Sequence, residues 1–332
     1  MFKILLDWSR QKFCHLPWRQ EHDAYYVLVS EIMLQQTTVG TVINHYDKFI
    51  AKFPTIFSLA KATDHEMHLA WKGLGYYRRA KNLQNAAKEI VAKYKGVIPK
   101  SRDQLLSIKG IGPYTCEAIM AFAYDEKALA LDANIERVVA RYFGIDGVKG
   151  PKFQKIIYEK FWKKEIFAGK HPWRNLNSAL MDLGRTICQA RKADCLLCPL
   201  KGECVSLKEN KVLERPQAVL KKEQFFELHL VRLISNDGVY GYQKKKGEWL
   251  EGQFELPTFV ISTDDKVFKQ YPPKIFKVDK SKVIKTSITK YKIFNYPLEM
   301  SIAELKKMGF KKLNKSEIEN LSTASQKILK KI

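Results

Sequence analysis

The sequence predicts a mainly α-helical region followed by a smaller α+β domain. Segments with apolar residues at helical spacing dominate the first 210 residues, whereas the sequence from Phe225 onward alternates strand-like runs with turns. Between them lies a polar, charged stretch that contains Pro216, as is typical of a linker. A chain of 332 residues is long for one domain and sufficient for two. The predicted parts are residues 1–207, the linker 208–222 and the domain 223–332.

Five segments of the first part have the pattern of helices. Residues 24–36 contain neither Gly nor Pro and are mostly apolar, which indicates a buried helix. Leu83, Ala87 and Ile90 recur at helical spacing and give a second segment one apolar face. The predicted helices span residues 24–36, 80–94, 134–142, 153–167 and 176–188.

The second part mixes strands and helices. Residues 225–234 predict a first strand, and the turn Asn236-Asp237-Gly238 allows residues 239–243 to return as its partner strand. Residues 283–294 form another strand-rich region. A capping box that begins at Ser301 opens a helix, and lysine-rich helices follow it to the end of the chain.

The chain is strongly basic. Lys and Arg number 58 and Asp and Glu number 35, so the formal charge is 58 − 35 = +23, which favours a polyanionic partner. No run of 18 apolar residues predicts a membrane span, and the N-terminus has no pattern of a secretory signal. We therefore expect a monomeric cytoplasmic protein, associated with the nucleoid if it is bacterial.

Four of the six cysteines form the pattern C-x6-C-x2-C-x5-C, namely Cys188, Cys195, Cys198 and Cys204. In a reducing compartment, clustered thiols are more often metal ligands than disulfide partners. Four thiolates suit either zinc or a [4Fe-4S] cluster. Zinc ribbons usually pair two C-x2-C units, and only one is present, so the spacing favours an iron–sulfur cluster.

A glycine hairpin joins two predicted helices at residues 106–114. Gly110 and Gly112 allow a tight turn and a close approach to another surface, and Pro113 suits the first turn of the second helix. The exposed N–H groups of such a hairpin can bind a phosphate. The sequence therefore predicts a helix-hairpin-helix DNA-binding motif, although an ordinary turn between helices has the same glycines.

Glu31 lies on an apolar helix, where its helical neighbours include Val27, Leu28 and Leu34. A buried carboxyl is unfavourable unless it is paired or protonated, and burial raises its pKa. Such a group can serve as a general acid near neutral pH. The alternative is a glutamate that reaches a nearby arginine or lysine.

Asp132 follows an apolar run and lies at the start of a predicted helix. Aspartate at that position is most often an N-cap, but Asn134 could cap the helix and leave Asp132 free. One desolvated carboxyl and one carboxylate in a polar turn are the combination that cleaves glycosidic bonds.

The segment Gly73-Leu74-Gly75-Tyr76-Tyr77-Arg78-Arg79 combines glycines, tyrosines and arginines. Adjacent tyrosines can insert into a base stack, and arginines can bind phosphates. Core tyrosines beside a solvated basic surface would have the same composition.

Together, these motifs resemble the adenine DNA glycosylase family of the helix-hairpin-helix DNA glycosylase superfamily. The resemblance covers residues 1 to about 205, with several independent motifs in the family's order. The motifs are LPWR at 16–19, SEIMLQQT at 30–37, GLGYY at 73–77, the GIG hairpin, LDANIERV at 131–138, LMDLG at 180–184 and the four cysteines.

The resemblance implies a mainly α helix-hairpin-helix glycosylase fold of two lobes, one of which carries a [4Fe-4S] cluster, with the DNA between them. The implied partner is double-stranded DNA that contains a mispaired adenine. The implied reaction is monofunctional base excision, in which the N-glycosidic bond of adenine opposite 8-oxoguanine or guanine is hydrolysed.

The resemblance also implies roles for individual residues. Glu31 matches the general acid that protonates adenine, and Asp132 matches the carboxylate that stabilises or captures the sugar cation. Asn134 and Tyr114 line the same site. The other implied contacts are Gln36 and Tyr76, which insert into the base stack, Gly110, Ile111 and Gly112 of the hairpin, and Trp18 and Arg19 near the adenine pocket.

Two alternatives stay open. An endonuclease III-like enzyme with AP lyase activity requires a lysine nucleophile just after the glycine hairpin, and this chain has Tyr114 there. A non-catalytic DNA-binding relative would keep the scaffold without the site, yet Glu31, Asp132 and Asn134 are all present.

The C-terminal part resembles, more faintly, a Nudix-like domain that adenine glycosylases use against the opposite strand. GEWLEGQFELP at 247–257 carries this resemblance, and no Nudix hydrolase box is present. The family commonly has a Phe-Ser-His loop that senses 8-oxoguanine. Here Ser287 matches the serine, while Thr286 and Ile288 replace its neighbours, so we expect a reduced preference for 8-oxoguanine over guanine.

Overall fold

The computed structural model describes residues 2–163, 172–218 and 225–331, without the side chain of Phe2. It divides into two compact units. The helical unit comprises the described residues of Met1–Ala62 and Ala70–Leu220. The α+β unit comprises those of Thr63–Leu69 and Lys221–Ile332. In the described part of the chain, no helix is long and apolar enough to cross a membrane.

The predicted helices are confirmed, with ends that differ by a few residues; part of the segment 153–167 lies outside the described residues. Short π-helical and 3-10 turns occupy Ile119–Ala123, Cys195–Leu197 and Lys201–Glu203. The α-helices up to residue 208 are α1 (Phe2–Phe13), α2 (Pro17–Gln20), α3 (Ala24–Leu34), α4 (Val39–Lys52), α5 (Ile56–Lys61), α6 (Asp64–Trp71), α7 (Arg78–Tyr94), α8 (Arg102–Ser107), α9 (Pro113–Ala118), α10 (Ala133–Phe143), α11 (Pro151–Lys163), α12 (Trp173–Thr186) and α13 (Val205–Lys208).

Helices α10, α11 and α12 share one apolar core with α1. Ile135 and Val139 of α10 meet Leu180 and Leu183 of α12, and Leu5 of α1 is fully buried among them. The cysteine segment packs at the edge of this core. The N-terminal helix therefore belongs to the cysteine-bearing lobe.

The other lobe is built from α3, α4, α5, α7 and α9. Helix α3 is buried over most of its length, which confirms the prediction from its composition. Within α7, Leu83, Ala87 and Ile90 are fully buried and form the predicted apolar face. These helices hold α3, and with it Glu31, in the interior of the unit.

The hairpin between α8 and α9 depends on Gly110. Its φ is +103°, and a Cβ at this position would lie 2.7 Å from the carbonyl oxygen of Asn82. The backbone N–H of Lys109 donates to Glu89 Oε2 at 2.9 Å. Only glycine therefore fits at position 110, whereas Gly112 is extended and has open space around it.

The α+β unit contains two sheets. The larger has the strand order β4–β1–β6–β5, with β1 parallel to β6 and antiparallel to β4; the smaller has the order β3–β2–β7. The strands are β1 (Phe226–Ile234), β2 (Tyr240–Gln243), β3 (Phe254–Glu255), β4 (Thr258–Thr263), β5 (Ile284–Ile288), β6 (Tyr291–Glu299) and β7 (Lys311–Lys312).

The predicted hairpin of β1 and β2 is wrong. Both edges of β1 are occupied by β4 and β6, which come from later in the chain. Strand β2 instead pairs with β3 and β7. The turn at Asn236-Asp237-Gly238 therefore carries the chain from one sheet to the other.

Three helices follow in this unit, α14 (Ile302–Lys307), α15 (Lys315–Glu319) and α16 (Thr323–Leu329). The capping box of α14 is confirmed, because Ser301 Oγ accepts from the Glu304 N–H at 3.3 Å and Glu304 Oε2 accepts from the Ser301 N–H at 3.1 Å.

A buried charge cluster lies inside the α+β unit. Arg232 Nη1 donates to Glu255 Oε1 at 2.5 Å, and Tyr271 donates to Glu255 Oε2 at 2.8 Å. Lys244 Nζ lies 3.8 Å from the same carboxylate and 3.7 Å from Glu248. The buried charges of this cluster are thus paired with opposite charges.

Candidate active site

Glu31 is a buried carboxyl group in the interior of the helical unit. It lies on α3 and is only 5% exposed. The Tyr114 hydroxyl donates to Glu31 Oε2 at 2.6 Å. Burial raises the pKa of Glu31 to about 7; the bond from Tyr114 and the charge of Arg19 oppose the shift, and Asp132 adds to it. A glutamate with this pKa is partly protonated at neutral pH.

Tyr114 connects the hairpin to this carboxyl. It is the second residue of α9, so the geometry of the glycine hairpin sets its position. Burial raises the pKa of Tyr114 well above its usual value, and the charge of Glu31 adds to the shift. Tyr114 therefore stays protonated and acts as a hydrogen-bond donor.

Arg19 faces the site from α2 but is held by another carboxylate. Its Nη2 lies 3.4 Å from Asp182 Oδ1. Asp182 is 1% exposed, accepts from Ser9 Oγ at 2.7 Å and pairs with Arg185 at 3.2 Å. Arg19 thus reaches Glu31 electrostatically without neutralising it. Trp18, beside it, is buried and packs edge-to-face against Tyr46.

Asp132 is the N-cap of α10, so the interpretation that Asn134 caps this helix is wrong. Its Oδ1 accepts from the N–H groups of Asn134 at 2.9 Å and Ile135 at 2.7 Å. Burial raises the pKa of Asp132, and these bonds oppose the shift because they favour the ionised form. The same carboxylate affects the pKa values of Glu31 and Tyr114. The two carboxyl groups therefore lie close enough to interact electrostatically.

Asn134 positions Asp132 and is itself positioned by Arg137. The Asn134 side-chain amide donates to Asp132 Oδ2 at 2.7 Å, and Arg137 Nη2 donates to Asn134 Oδ1 at 2.8 Å. Arg137 also donates from Nε to the Cys188 carbonyl at 2.7 Å. A continuous hydrogen-bonded chain therefore joins Asp132 to the first cysteine of the cluster segment.

Gln36 and Tyr76 lie on two exposed loops, and Tyr76 is 60% exposed. Both have left-handed backbone angles, with φ of 56° and 47°.

In the glycine hairpin, Gly112 is exposed, whereas Ile111 is buried and its N–H donates to the Ile108 carbonyl. Ile111 therefore packs the turn and does not offer its amide to a ligand.

Four of the six cysteines of the helical unit, Cys188, Cys195, Cys198 and Cys204, lie near one another. Burial raises the pKa of Cys198 to about 11, and Cys188, Cys204 and Cys195 add to that shift. Arg141 donates to Cys188 Sγ at 3.3 Å. Among the described residues, no three Cys, His, Asp or Glu side chains are arranged to hold one metal ion.

The structure gives three further residues roles that the sequence does not predict. Asp182 lies inside the motif LMDLG, and Arg137 lies one helical turn after Asn134. The sequence therefore marks both positions, but it does not indicate what their side chains bind. The sequence pattern predicts Arg79, like Arg78, as a phosphate contact. This is wrong, because Arg79 is 8% exposed and its guanidinium binds backbone carbonyls.

Residues 29–164 match the family model described as HhH-GPD superfamily base excision DNA repair protein. The chain is 39% identical over 223 residues to an adenine DNA glycosylase of Buchnera aphidicola subsp. Acyrthosiphon pisum, covering 66% of this chain and 63% of that protein. It is 33% identical over 205 residues to a thymine/uracil-DNA glycosylase of Methanothermobacter thermautotrophicus, covering 60% and 90%. The chain spans less than two thirds of the length of the first adenine DNA glycosylases it matches.

The fold also resembles a solved structure, that of a thermostable thymine-DNA glycosylase. The TM-score is 0.54 and the sequence identity 31%, and the match covers 62% of this chain and 94% of that chain.

Proposed function

Because the chain belongs to the HhH-GPD superfamily of base excision DNA repair proteins, we propose that it is a monofunctional adenine DNA glycosylase. Its substrate is adenine opposite 8-oxoguanine or guanine in double-stranded DNA. The observation that carries this proposal is the buried Glu31, with a pKa of about 7, in one site with the Asp132 carboxylate. Adenine leaves poorly as an anion, so a protonated carboxyl is the group this reaction requires.

In the proposed reaction, the Glu31 proton moves to a ring nitrogen of adenine as the N-glycosidic bond breaks. Adenine leaves as a neutral base, and positive charge develops on the sugar. The Asp132 carboxylate stabilises that charge or captures the sugar carbon transiently. Water then adds to the same carbon, and the proton it loses restores the Glu31 carboxyl.

The adenine must leave the duplex before it can reach Glu31, at a cost of a few kcal/mol. Gln36 and Tyr76 are the side chains proposed to enter the base stack. Their exposure on neighbouring loops of the helical unit supports this role. The hairpin at Gly110 and Gly112 is proposed to bind the phosphate backbone.

Strand cleavage is not part of the proposed activity. A lyase of this superfamily would use a lysine amine where this chain has Tyr114, and the Tyr114 hydroxyl is committed to Glu31. The product should be an abasic strand that breaks only after alkali or heat. Prompt covalent trapping by borohydride at high yield would contradict this and favour the endonuclease III-like alternative.

The four cysteines fit a [4Fe-4S] cluster better than a single zinc ion. Around zinc, four sulfurs lie about 3.8 Å apart, given a Zn–S distance of ~2.3 Å. In a cluster each thiolate binds its own iron, so the ligands are farther apart. The presence of a single C-x2-C unit among four thiols that affect one another's pKa supports the second case. The bound cluster would supply structural stability to the segment 188–204.

Iron and sulfide analysis of anaerobically purified protein tests this assignment. We expect four irons per chain, and loss of iron together with weaker DNA binding in Cys198→Ser. Zinc without iron would overturn it.

The α+β unit is proposed to be a Nudix-like domain that contacts the base opposite adenine. Ser287 is exposed on β5, directly opposite Lys292 of β6. Tyr291 cannot provide a contact beside Ser287. It pairs with Ile288 on the other face of the hairpin, and its hydroxyl donates to Asp265. The neighbours of Ser287 in the chain, Thr286 and Ile288, supply neither the aromatic ring nor the imidazole of the family's loop, in line with a reduced preference for 8-oxoguanine.

A second candidate function is removal of thymine or uracil opposite guanine. The 33% identity to the thymine/uracil-DNA glycosylase of Methanothermobacter thermautotrophicus, over 90% of that protein, favours it. It accounts less well for Glu31, because a departing pyrimidine anion has less need of a proton from a carboxyl with a raised pKa.

Single-turnover excision on one panel of duplexes separates the candidates. The panel contains adenine opposite 8-oxoguanine, guanine, cytosine or thymine, and thymine or uracil opposite guanine. We expect excision of adenine, fastest opposite 8-oxoguanine or guanine. Excision of thymine or uracil alone would establish the second candidate, and excision of no base with retained binding would indicate a non-catalytic relative.

A further inference from the structure

Arg79 lies where helix α7, the end of helix α3 and the loop of Tyr76 meet in the helical unit. It is the second residue of α7 and is 8% exposed. Its Nη1 donates to the carbonyls of Ile32 at 3.0 Å and Met33 at 2.8 Å, and to that of Gln35. These carbonyls belong to the C-terminal end of α3, the helix that carries Glu31. A cation is favourable there because the last carbonyls of a helix carry partial negative charge.

The other guanidinium nitrogen of Arg79 binds the second loop. Its Nη2 donates to the carbonyls of Leu74 at 2.9 Å and Gly75 at 3.2 Å, and to Thr37 Oγ1 at 2.9 Å. The guanidinium carbon also lies 5.6 Å from the centre of the Tyr76 ring. One buried side chain therefore ties the loop of Gln36 to the loop of Tyr76.

Both loops contain backbone that needs such support. Gln36 and Tyr76 have φ of 56° and 47°, in the left-handed region that residues with a Cβ rarely adopt. Conformations of this kind persist only where the surrounding contacts enforce them. Arg79 contacts the residue before each of these positions, Gln35 and Gly75.

We propose that Arg79 is a positioning residue that fixes the two loops as one rigid wedge on the end of the Glu31 helix. This inference rests on the proposed function, in which Gln36 and Tyr76 enter the base stack. The wedge keeps its shape before DNA binds, so binding energy goes into extruding the base instead of ordering the loops. Lysine cannot replace Arg79, because its donors radiate from one atom and cannot reach both loops.

The test compares Arg79→Lys with Arg215→Lys. Arg215 is also buried and donates to Asp146 at 2.8 Å, far along the chain from both loops. Single-turnover excision is measured on adenine opposite 8-oxoguanine and on adenine opposite an abasic site, where extrusion requires less energy. Fluorescence of 2-aminopurine at the target position reports extrusion directly.

We expect Arg79→Lys to slow excision of the paired adenine about 100-fold, the scale of a misplacement of about 1 Å. The defect should shrink to a few-fold at the unpaired adenine, with a smaller fluorescence change and an unaltered pH profile. Arg215→Lys should lose stability without this selectivity. Equal defects on both substrates, or full extrusion by Arg79→Lys, would overturn the proposal.

Two further measurements keep the inference separate from the proposed function. If Arg79→Lys does not fold, Thr37→Val removes one Arg79 contact and should give the same pattern with a smaller effect. Amide hydrogen exchange should be faster at residues 35–37 and 73–76 in either variant. If the wild-type protein excises no adenine, the proposed function fails, and unchanged exchange in these loops would independently refute the wedge.

Discussion

The two units each contain a buried glutamate, and their surroundings make them opposites. Glu255 in the α+β unit is fully buried, with Arg232 at 2.5 Å and Lys244 at 3.8 Å. Glu31 in the helical unit is also buried, but its hydrogen-bond partner is the neutral hydroxyl of Tyr114. Arg19, the cation that acts on Glu31, pairs with Asp182.

The difference shows that burial alone does not make a carboxyl group a proton donor. In the α+β unit the buried carboxylate has charged partners, whereas in the helical unit burial outweighs the neutral donor and raises the pKa of Glu31, so that this group can release a proton. Substitutions in the two clusters should therefore change different quantities, activity in one unit and stability in the other.

The largest effect is expected at Glu31. Glu31→Gln keeps the shape of the side chain but has no acidic proton, so excision should fall by about 10²–10⁴-fold, the usual contribution of general acid catalysis. Duplex binding should be retained. Glu136→Gln is the control, since Glu136 is a buried glutamate on α10 that pairs with Lys149. Excision by Glu31→Gln within a factor of ten of the wild type would remove Glu31 from this role.

Glu255→Gln tests the other side of the comparison. It leaves Arg232 and Lys244 buried without a full negative charge, and breaking a buried pair typically costs about 3–5 kcal/mol. We expect that loss in the unfolding free energy, measured by urea denaturation of the whole chain. Glu248→Gln, at the edge of the same cluster, should cost much less. Unchanged stability in Glu255→Gln would show that the charge pairing is not structural.

The pH dependence follows from the raised pKa of Glu31. Above pH 7 the acid loses its proton, so the single-turnover rate should fall about tenfold per pH unit. The free energy of unfolding should also fall as the pH rises. Between pH 4.5 and about 7 the folded protein keeps a proton that the unfolded chain releases, so stability falls as pH rises through this window.

Glu31→Gln has no such proton, so it should be more stable relative to the wild type at pH 8 than at pH 5. Denaturation of both proteins at the two pH values measures this difference. A rate that stays constant from pH 6 to 9 would contradict the assignment of Glu31 as the acid.

Tyr114→Phe should have a smaller effect on the same group. The Tyr114 hydroxyl lowers the pKa of Glu31, so its removal should raise that pKa further and shift the alkaline limb of the rate profile to higher pH. The loss of one hydrogen bond, about 1 kcal/mol, predicts a change of roughly fivefold in rate at neutral pH. An alkaline limb that moves to lower pH would show that Tyr114 acts on another group.

The smallest effect is expected at Ser287 in the α+β unit. Ser287→Ala should lower the preference for 8-oxoguanine over guanine opposite adenine by at most about fivefold, since one neutral hydrogen bond is involved. The ratio of the two binding constants at one salt concentration measures it. A strong preference that Ser287→Ala leaves unchanged would place opposite-base recognition elsewhere.

The sequence predicted the helices and the carboxyl groups because their signals are local. Helical spacing of Leu83, Ala87 and Ile90 and the apolar surroundings of Glu31 depend only on neighbours along the chain. The pairing of β2 could not be predicted in this way, because β1 takes its partners from strands that follow β2. The roles of Arg79, Arg137 and Asp182 are likewise set by residues distant in sequence, and a charged residue beside a motif does not reveal whether it faces solvent or a row of carbonyls.

Asp132 has a structural role beside its proposed chemical role, and this has a consequence for the evolution of the site. Asp132 caps α10, and replacing an N-cap aspartate by alanine costs about 0.5–2 kcal/mol of stability. A descendant that lost the proposed activity would still be selected to keep Asp132 for its fold. Glu31 gives no such benefit, since its burial disfavours the charged form. Drift should therefore erase Glu31 first, and its retention in a related sequence is the better indicator that catalysis is under selection.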